Sequence, residues 1–510
     1  MKKILLLISC SFLILLSSCS IIFVEQSSFY QEEETEFSTE NLNPDTYDNY
    51  KNCEVSFKSL NYKSVYNSFS SDVLPQTGNL NILVLPVEIS DYPFDDDYKT
   101  VLEKGLNGDG INDTNYWESL KSFYFKSSYG KVNINCVIAD KYESNYSAIG
   151  LSQLSKIKTN SSIKMLDKAY NNYIENNGVS SLLQFDSESD GLIDAVITIY
   201  SAPTIEEDNY IKSIDKNGDL FWAFQNTAST YSQKDVNKPI YCNYMWLSID
   251  FFYNNRDKNM IDAHTVIHEF GHCFGLDDYY SYDDFRSPAG GFDMMDSNIG
   301  DHCAFTKLSL GWINPIFAYG KSKITLHDFE STGECILVSD NWNYTAFDEF
   351  LLIELYTPTN LNELDSTTAY PNCELLYTEP GIKIWHVDNR LIRYNQNKEY
   401  SYVVNEPSEL DLNYSYIVGH SNSKKDIANG NYDLLRLIEC NTDRLDSDSI
   451  LKYDGFASND SLWKDSYFTI ENKKNLFPNG TRFDNGNKFN YKISIDKFEG
   501  TSAEITIETL

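Results

Sequence analysis

The feature that most constrains this chain is the segment His268-Glu269-Phe270-Gly271-His272, which matches the pattern H-E-x-x-H. Apolar residues recur around it at steps of three and four, which predicts an amphipathic helix with one buried face. Residues four apart on a helix share a face, so both imidazoles can reach one metal ion. Glu269 then lies beside that ion, as a general base that does not bind it. The alternative is a surface helix with two solvated histidines.

A third metal ligand is predicted beyond the helix, because catalytic zinc takes three protein ligands and keeps a fourth position open. The chain continues as H-E-x-x-H-x-x-G-x-x-D, with Gly275 and Asp278 at the last two defined positions. An unbroken helix would carry Asp278 about 15 Å from His268 along its axis. The helix must therefore end, and Gly275 can adopt the left-handed conformation that ends helices. The spacing of extended zincin motifs favours Asp278 as the ligand, with Asp277 as the competing candidate.

A turn with two methionines follows at residues 290–298, GGFDMMDSN. An extended zinc motif followed by a methionine-bearing turn is the pattern of metzincin proteases. Over roughly residues 80–390 the chain resembles the immune inhibitor A family of bacterial metalloproteases. The resemblance rests on this turn and on HEFGHCFGLDDYY at 268–280, HCAFTKLSLGWI at 302–313, SSYGK at 127–131 and GIKIWHVD at 381–388.

The resemblance implies an exported zinc endopeptidase of the metzincin type, often with bound calcium, that hydrolyses protein or peptide substrates. The residues that it assigns to the site are His268, His272 and Asp278 as zinc ligands, Glu269 as the general base, and Met295 as the methionine beneath the metal. Met294 is the alternative in the turn, and an ordinary core pair of methionines is another interpretation. One departure is Asp277, which stands where the family commonly has proline.

Other residues near the motif are also candidates for the site. Tyr279 or Tyr280 could assist the oxyanion that forms during hydrolysis. His302 is a candidate for the substrate cleft. Cys273 and Cys303 each flank an element of the site, so a disulfide between them is a further hypothesis.

An acidic loop at residues 186–194 resembles the first part of a calcium-binding loop, with acidic side chains at alternate positions and a turning glycine. The candidate calcium ligands are Asp186, Glu188, Asp190 and Asp194. The loop is not an EF-hand, because Ile197 stands where the bidentate glutamate would be. Either a structural calcium ion braces the loop before the following strand, or the loop is a solvated turn.

The N-terminus carries an export signal. Lys2 and Lys3 precede an apolar run that is too short to span a bilayer as a helix. The run ends in LSSC at residues 16–19, which resembles the lipobox of bacterial lipoproteins. We therefore expect cleavage before Cys19, lipid attachment to Cys19, and a protein held at the outer surface of the cell membrane. The alternative is an ordinary signal peptide cut nearby.

Four segments are predicted along the chain. They are a signal peptide (1–19), an acidic tether or pro-segment (20–76), a metzincin-like zinc protease domain (77–317) and a β-rich, sandwich-like C-terminal domain (318–510). Strands and helices mix in the third segment, which is typical of an α+β domain. Short apolar runs separated by turn residues dominate the fourth. The first ordered element is expected at Asn81–Ile89, an apolar run of strand type.

The formal charge of −34 disfavours nucleic acid as a partner, because a phosphate backbone repels an acidic surface. The expected partners are protein or peptide substrates, and the membrane through the N-terminal lipid. Two functions compete with an endopeptidase. One is a catalytically silent surface lipoprotein whose β-rich half binds glycans or proteins, and the other is a zinc amidase acting on cell-wall peptides. The presence of Glu269 beside the predicted ligands disfavours the silent lipoprotein.

Overall fold

The computed structural model describes residues 46–55, 60–154, 157–253, 260–282, 287–394, 400–403, 410, 413–424, 432–441 and 457–510. The predicted signal peptide and Cys19 lie outside the described residues. The helices are α1 (Tyr62–Ser68), α2 (Tyr98–Asn107), α3 (Leu120–Ser127), α4 (Ala148–Ser152), α5 (Lys158–Asn177), α6 (Asn209–Ile214), α7 (His264–Cys273), α8 (Met294–Ser297), α9 (Ala304–Ser309), α10 (Phe329–Thr332) and α11 (Glu363–Thr367). Among these described helices, none has the length and apolar character needed to cross a membrane.

Strands occur both before and after α7 in the sequence. Those before it are β1 (Asp48–Asn52), β2 (Gly78–Glu88), β3 (Val132–Ile138), β4 (Tyr142–Glu143), β5 (Leu192–Ile193), β6 (Val196–Tyr200), β7 (Phe224–Thr227), β8 (Ile240–Tyr241) and β9 (Asn243–Ser248). Those after it are β10 (Ile316–His327), β11 (Cys335–Val338), β12 (Glu349–Tyr356), β13 (Gly381–Asp388), β14 (Leu391–Tyr394), β15 (Tyr400–Tyr402), β16 (Ser415–Val418), β17 (Leu435–Leu437), β18 (Tyr467–Thr469), β19 (Tyr491–Phe498) and β20 (Ser502–Thr509).

The N-terminal half contains a mixed six-stranded sheet in the order β3-β2-β6-β9-β7, with β4 also paired to β2. Neighbouring strands are parallel except at β7, which runs antiparallel to β9. Every residue of β6 and β9 is buried, as expected for parallel strands that are covered on both faces. The antiparallel strand β7 comes last in the strand order, so it forms an edge of this sheet, and it lies next to α7.

The C-terminal half is dominated by a nine-stranded sheet in the order β17-β13-β12-β11-β10-β20-β19-β18, with β1 also paired to β10. The β10–β11 pair is parallel and the other pairs are antiparallel. A separate three-stranded sheet has the order β15-β14-β16. The chain is thus a mixed α and β protein with a β-rich C-terminal region, which confirms that coarse part of the predicted fold class.

In the described part of the chain, β1 and α1 precede β2, so the expectation that order begins at Asn81–Ile89 is wrong. That run does form a strand, β2, but the chain is folded before it. Strand β1 pairs with β10, and Tyr50 lies opposite Ala318. The two strands are far apart in the sequence, so no local pattern indicates this pairing. Helix α1 is only two turns long, and an Asn61 capping box begins it. Both elements lie inside the segment predicted as a tether.

The largest hydrophobic core contains residues from both sides of the predicted boundary at 317/318. It includes Ile267 and Phe270 of α7 together with Phe350 and Leu352 of β12. The two predicted domains therefore share a core, and both halves of the chain position the helix that carries the H-E-x-x-H segment.

Candidate metal centre

Helix α7 carries the H-E-x-x-H segment, as the apolar periodicity predicts. Ile267 and Phe270 are buried in the shared core and fix the rotation of the helix about its axis. Just after the helix, Gly275 has a φ of +93°, in the left-handed region that favours glycine. The helix therefore ends where the sequence predicts, and the chain turns back so that Asp278 reaches the histidines.

Backbone carbonyls hold both histidine rings of the segment. Nδ1 of His268 lies 2.7 Å from the carbonyl oxygen of Met294, and Nδ1 of His272 lies 2.9 Å from that of Leu276. A carbonyl oxygen only accepts hydrogen bonds, so in a neutral ring Nδ1 carries the proton and Nε2 the lone pair. Metal-binding histidines are typically oriented in this way by their second nitrogen. Each ring therefore presents Nε2 as a candidate ligand atom.

The two imidazoles and Asp278 converge on one point. Oδ1 of Asp278 lies 3.0 Å from Nε2 of His268 and 3.3 Å from Nε2 of His272. One ligand atom from each of the three residues lies within 4.8 Å of the others. Lone pairs on two neutral rings and a carboxylate repel one another unless a proton or a cation lies between them. The donor set fits a divalent cation such as zinc, which binds imidazole and carboxylate together.

The electrostatics of this point favour positive charge. Against the effect of burial, the Asp278 carboxylate raises the pKa of His272 to about 10. Also against burial, the two histidines hold the pKa of Asp278 well below its usual range. A carboxylate that stays ionised beside two imidazoles is suited to hold a cation.

Asp277, the competing ligand, is directed away from the histidines. Its carboxylate accepts hydrogen bonds from the hydroxyls of Ser421 and Ser423, at 3.0 Å for Ser423. Asn422, between those serines, donates its side-chain amide to the carbonyl of Tyr279 at 2.9 Å. The segment that precedes β17 thus holds the loop after α7, and the geometry places Asp278 rather than Asp277 with the histidines.

Glu269 lies on α7 between the two histidines and is partly exposed. Burial raises the pKa of its carboxyl, while His272 and His268 lower it. The backbone N–H of Gln225, in the edge strand β7, donates to Glu269. A carboxyl with a raised pKa beside a metal-ligand cluster is suited to exchange protons with a water molecule.

The methionine turn packs under α7. Asp293 accepts a hydrogen bond from the backbone N–H of Met295 at 2.8 Å and so begins the short helix α8. The side chain of Met295 fills the space that a Cβ would need at Gly271, in the middle of the H-E-x-x-H segment. Met294 contributes its carbonyl to His268 instead. Both methionines are buried, and Met295 is the one whose sulfur contacts the helix.

Sequence reasoning missed Tyr282, whose hydroxyl donates to Oδ2 of Asp278. Of the two tyrosines that it named, Tyr279 is buried and bonds Thr306 at 2.6 Å. Tyr280 packs near Tyr282, with ring centroids 5.6 Å apart. Nothing in the spacing of these tyrosines distinguishes them, because the path of the loop after Gly275 decides which one reaches the aspartate.

Two further hypotheses, a cleft position for His302 and a disulfide between Cys273 and Cys303, gain no support from the structure. His302 does not line a cleft, since it is buried beside Phe123 and Trp312. The segment around it carries part of the sequence resemblance, but a resemblance in sequence does not reveal which way a side chain points. Cys273 and Cys303 are both free thiols in the structure, so they form no disulfide.

The acidic loop at 186–194 is a turn bonded largely to itself. Oxygens of Asp186 accept from the backbone N–H groups of Asp190 and Gly191, at 3.0 and 2.9 Å. Asp194 accepts from Ser187 N–H at 3.2 Å. The ammonium of Lys63, on α1, contacts Glu188. The four predicted ligands do not bring their oxygens to one point as the residues around α7 do, so calcium at this loop stays a prediction.

A scan against models of protein families finds no match, and a search of curated proteins finds none either. The geometry of the site and the sequence motifs are therefore the support for a function.

Proposed function

We propose that this protein is a zinc endopeptidase of the metzincin type, exported and held at the outer surface of the cell membrane by lipid at Cys19. The observation that carries the proposal is the convergence of His268, His272 and Asp278 beside Glu269. The alternative is a solvated pair of histidines on the protein surface. That alternative does not explain why carbonyls orient both rings and why a buried carboxylate faces them.

In this proposal, three of the site residues bind the metal ion and a fourth transfers a proton. Nε2 of His268, Nε2 of His272 and the carboxylate of Asp278 would hold zinc. When bound, zinc supplies the Lewis acidity that activates water and polarises the carbonyl of a peptide. Glu269 accepts the proton from the attacking water and returns it to the amine that leaves. Met295 packs against the α7 backbone at Gly271 and supports the helix that carries three of these residues.

The edge strand β7 is suited to bind an extended peptide. It is the last strand of the six-stranded sheet in the described part of the chain, and its residue Gln225 contacts Glu269. An extended peptide can add to such an edge through backbone hydrogen bonds, which places its carbonyls along the strand. This arrangement favours a polypeptide substrate over a small molecule.

Two assays on the purified chain separate the proposed function from its competitors. We expect cleavage of a denatured protein that a zinc chelator abolishes and added zinc restores. Hydrolysis confined to cell-wall peptides would instead identify a zinc amidase. Zinc bound without hydrolysis of either substrate would identify a silent binding lipoprotein.

Tyr282→Phe is expected to weaken zinc binding by about 10–100-fold, the usual cost of losing an outer-shell partner of a ligand. The hydroxyl of Tyr282 donates to Asp278 and fixes the orientation of that carboxylate. Competition with a zinc-binding dye measures the affinity. The matched control is Tyr280→Phe, which removes a hydroxyl from the neighbouring ring. Equal zinc affinity in both variants and the wild type would contradict the role given to Tyr282.

A further inference from the structure

A second group of candidate metal ligands lies in the C-terminal half, away from α7. It consists of Glu349 at the start of β12, His386 in β13, and Asp484 in the turn before β19. One ligand atom from each lies within 4.8 Å of the others. Glu349 pairs with Asp388 across the two strands, so His386 is its diagonal neighbour on the sheet. The group therefore joins two central strands to the C-terminal segment.

All three side chains are removed from water, at 1%, 2% and 4% exposure for Glu349, His386 and Asp484. Nε2 of His386 lies 2.8 Å from Oε1 of Glu349. The backbone N–H groups of Asp484 and Asn485 donate to the two oxygens of Glu349, at 2.6 and 2.8 Å. Oδ1 of Asp484 is buried and has no hydrogen-bond partner among the described residues. An orphaned carboxylate oxygen in a closed polar group indicates a missing ligand.

Two arginines lie near this group, but each donates hydrogen bonds to an aspartate outside it. Nε and Nη2 of Arg390 both donate to Asp388 at 2.7 Å, while Nε of Arg436 donates to Asp433 at 3.0 Å. Arg390 comes no closer to Glu349 than 3.8 Å, and Arg436 acts on Asp484 through its charge. Among the described residues, Glu349 and Asp484 remain as two buried carboxylates in excess. Buried charge of that size requires two protons or one divalent cation.

The histidine decides between a hard and a borderline cation. The group offers one imidazole nitrogen, from His386, beside the carboxylate oxygens of Glu349 and Asp484. Calcium and magnesium prefer oxygen ligands, whereas zinc accepts imidazole together with carboxylates.

We propose that Glu349, His386 and Asp484 bind a second zinc ion, which links β12 and β13 to the C-terminal segment. This site is independent of the proposed peptidase activity, because the two groups of ligands share no residue. The ion neutralises the two carboxylates and gives Oδ1 of Asp484 a partner. Its role is structural, since all three ligands are buried and a substrate could not reach the ion.

The test begins with a His268→Ala/His272→Ala variant of the full chain, which removes the first site. Metal is stripped with a chelator, zinc is titrated by calorimetry, and folding is checked by circular dichroism. We expect one equivalent of zinc and a rise in Tm on zinc addition. Adding Asp484→Asn should remove both effects, whereas Asp496→Asn, a control at an exposed carboxylate of the same segment, should remove neither.

The zinc content of the wild type separates this proposal from the first one. Two equivalents in the wild type and one in the double-histidine variant support both sites. One in the wild type and none in the folded variant would overturn the second site alone, leaving protons to neutralise the carboxylates. One equivalent in each protein would support the second site and overturn the first.

Discussion

Glu269→Gln is expected to lower kcat for peptide cleavage by about 10²–10⁴-fold, the usual contribution of a general base. Glutamine keeps the shape of the side chain but cannot accept a proton from water. The zinc content should not change, because Glu269 is not among the converging ligand atoms. Turnover of a fluorogenic peptide and atomic absorption of the purified protein measure the two quantities.

The control for this substitution is Glu175→Gln, at an exposed carboxylate on α5. It makes the same chemical change away from the site and should leave kcat and zinc content unaltered. Full turnover by Glu269→Gln would remove Glu269 from its role. Loss of zinc from that variant would show that Glu269 is a ligand rather than a base.

Asp278→Ala is expected to have the second large effect, a loss of both zinc and activity. Removing a ligand should weaken zinc binding by more than the roughly 10–100-fold that an outer-shell partner contributes. The imidazoles of His268 and His272 would also lose the carboxylate that now faces them at 3.0 and 3.3 Å. Zinc affinity by dye competition and peptide turnover measure the outcome.

Asp277→Ala is the matched control, since it removes the adjacent carboxylate that contacts Ser421 and Ser423. It should loosen the loop and reduce activity less than Asp278→Ala does. The reverse order of effects would place the ligand one residue earlier in the chain.

The helix, the turn and the position of Asp278 beside the histidines could be predicted because each depends on a local pattern. Apolar spacing indicated α7, and Gly275 indicated where it ends. The motif spacing favoured Asp278, although it could not exclude Asp277. The choice between them depends on Ser421 and Ser423, which lie far along the chain and approach only in the folded protein.

What could not be predicted depends on contacts between distant segments. The register of β1 on β10, and the order of the nine strands, is set by packing that leaves no local signal. The second cluster unites Glu349, His386 and Asp484, which carry no motif spacing because they come from three separate elements.

Contacts across the predicted boundary at 317/318 connect the two predicted domains at the candidate centre. Ser421, Asn422 and Ser423 lie in the β-rich half, yet they hold the loop that carries Asp278. The C-terminal region is therefore part of the support of the candidate centre, and not only a neighbouring module.

The central claim is that α7 and the loop after it assemble one zinc site. Anomalous X-ray diffraction from wild-type crystals, recorded on both sides of the zinc absorption edge, tests it most directly. The claim predicts a zinc peak about 2.0–2.1 Å from Nε2 of His268 and of His272, and within bonding distance of the Asp278 carboxylate. No zinc peak between these three residues, in crystals grown with zinc, would contradict it.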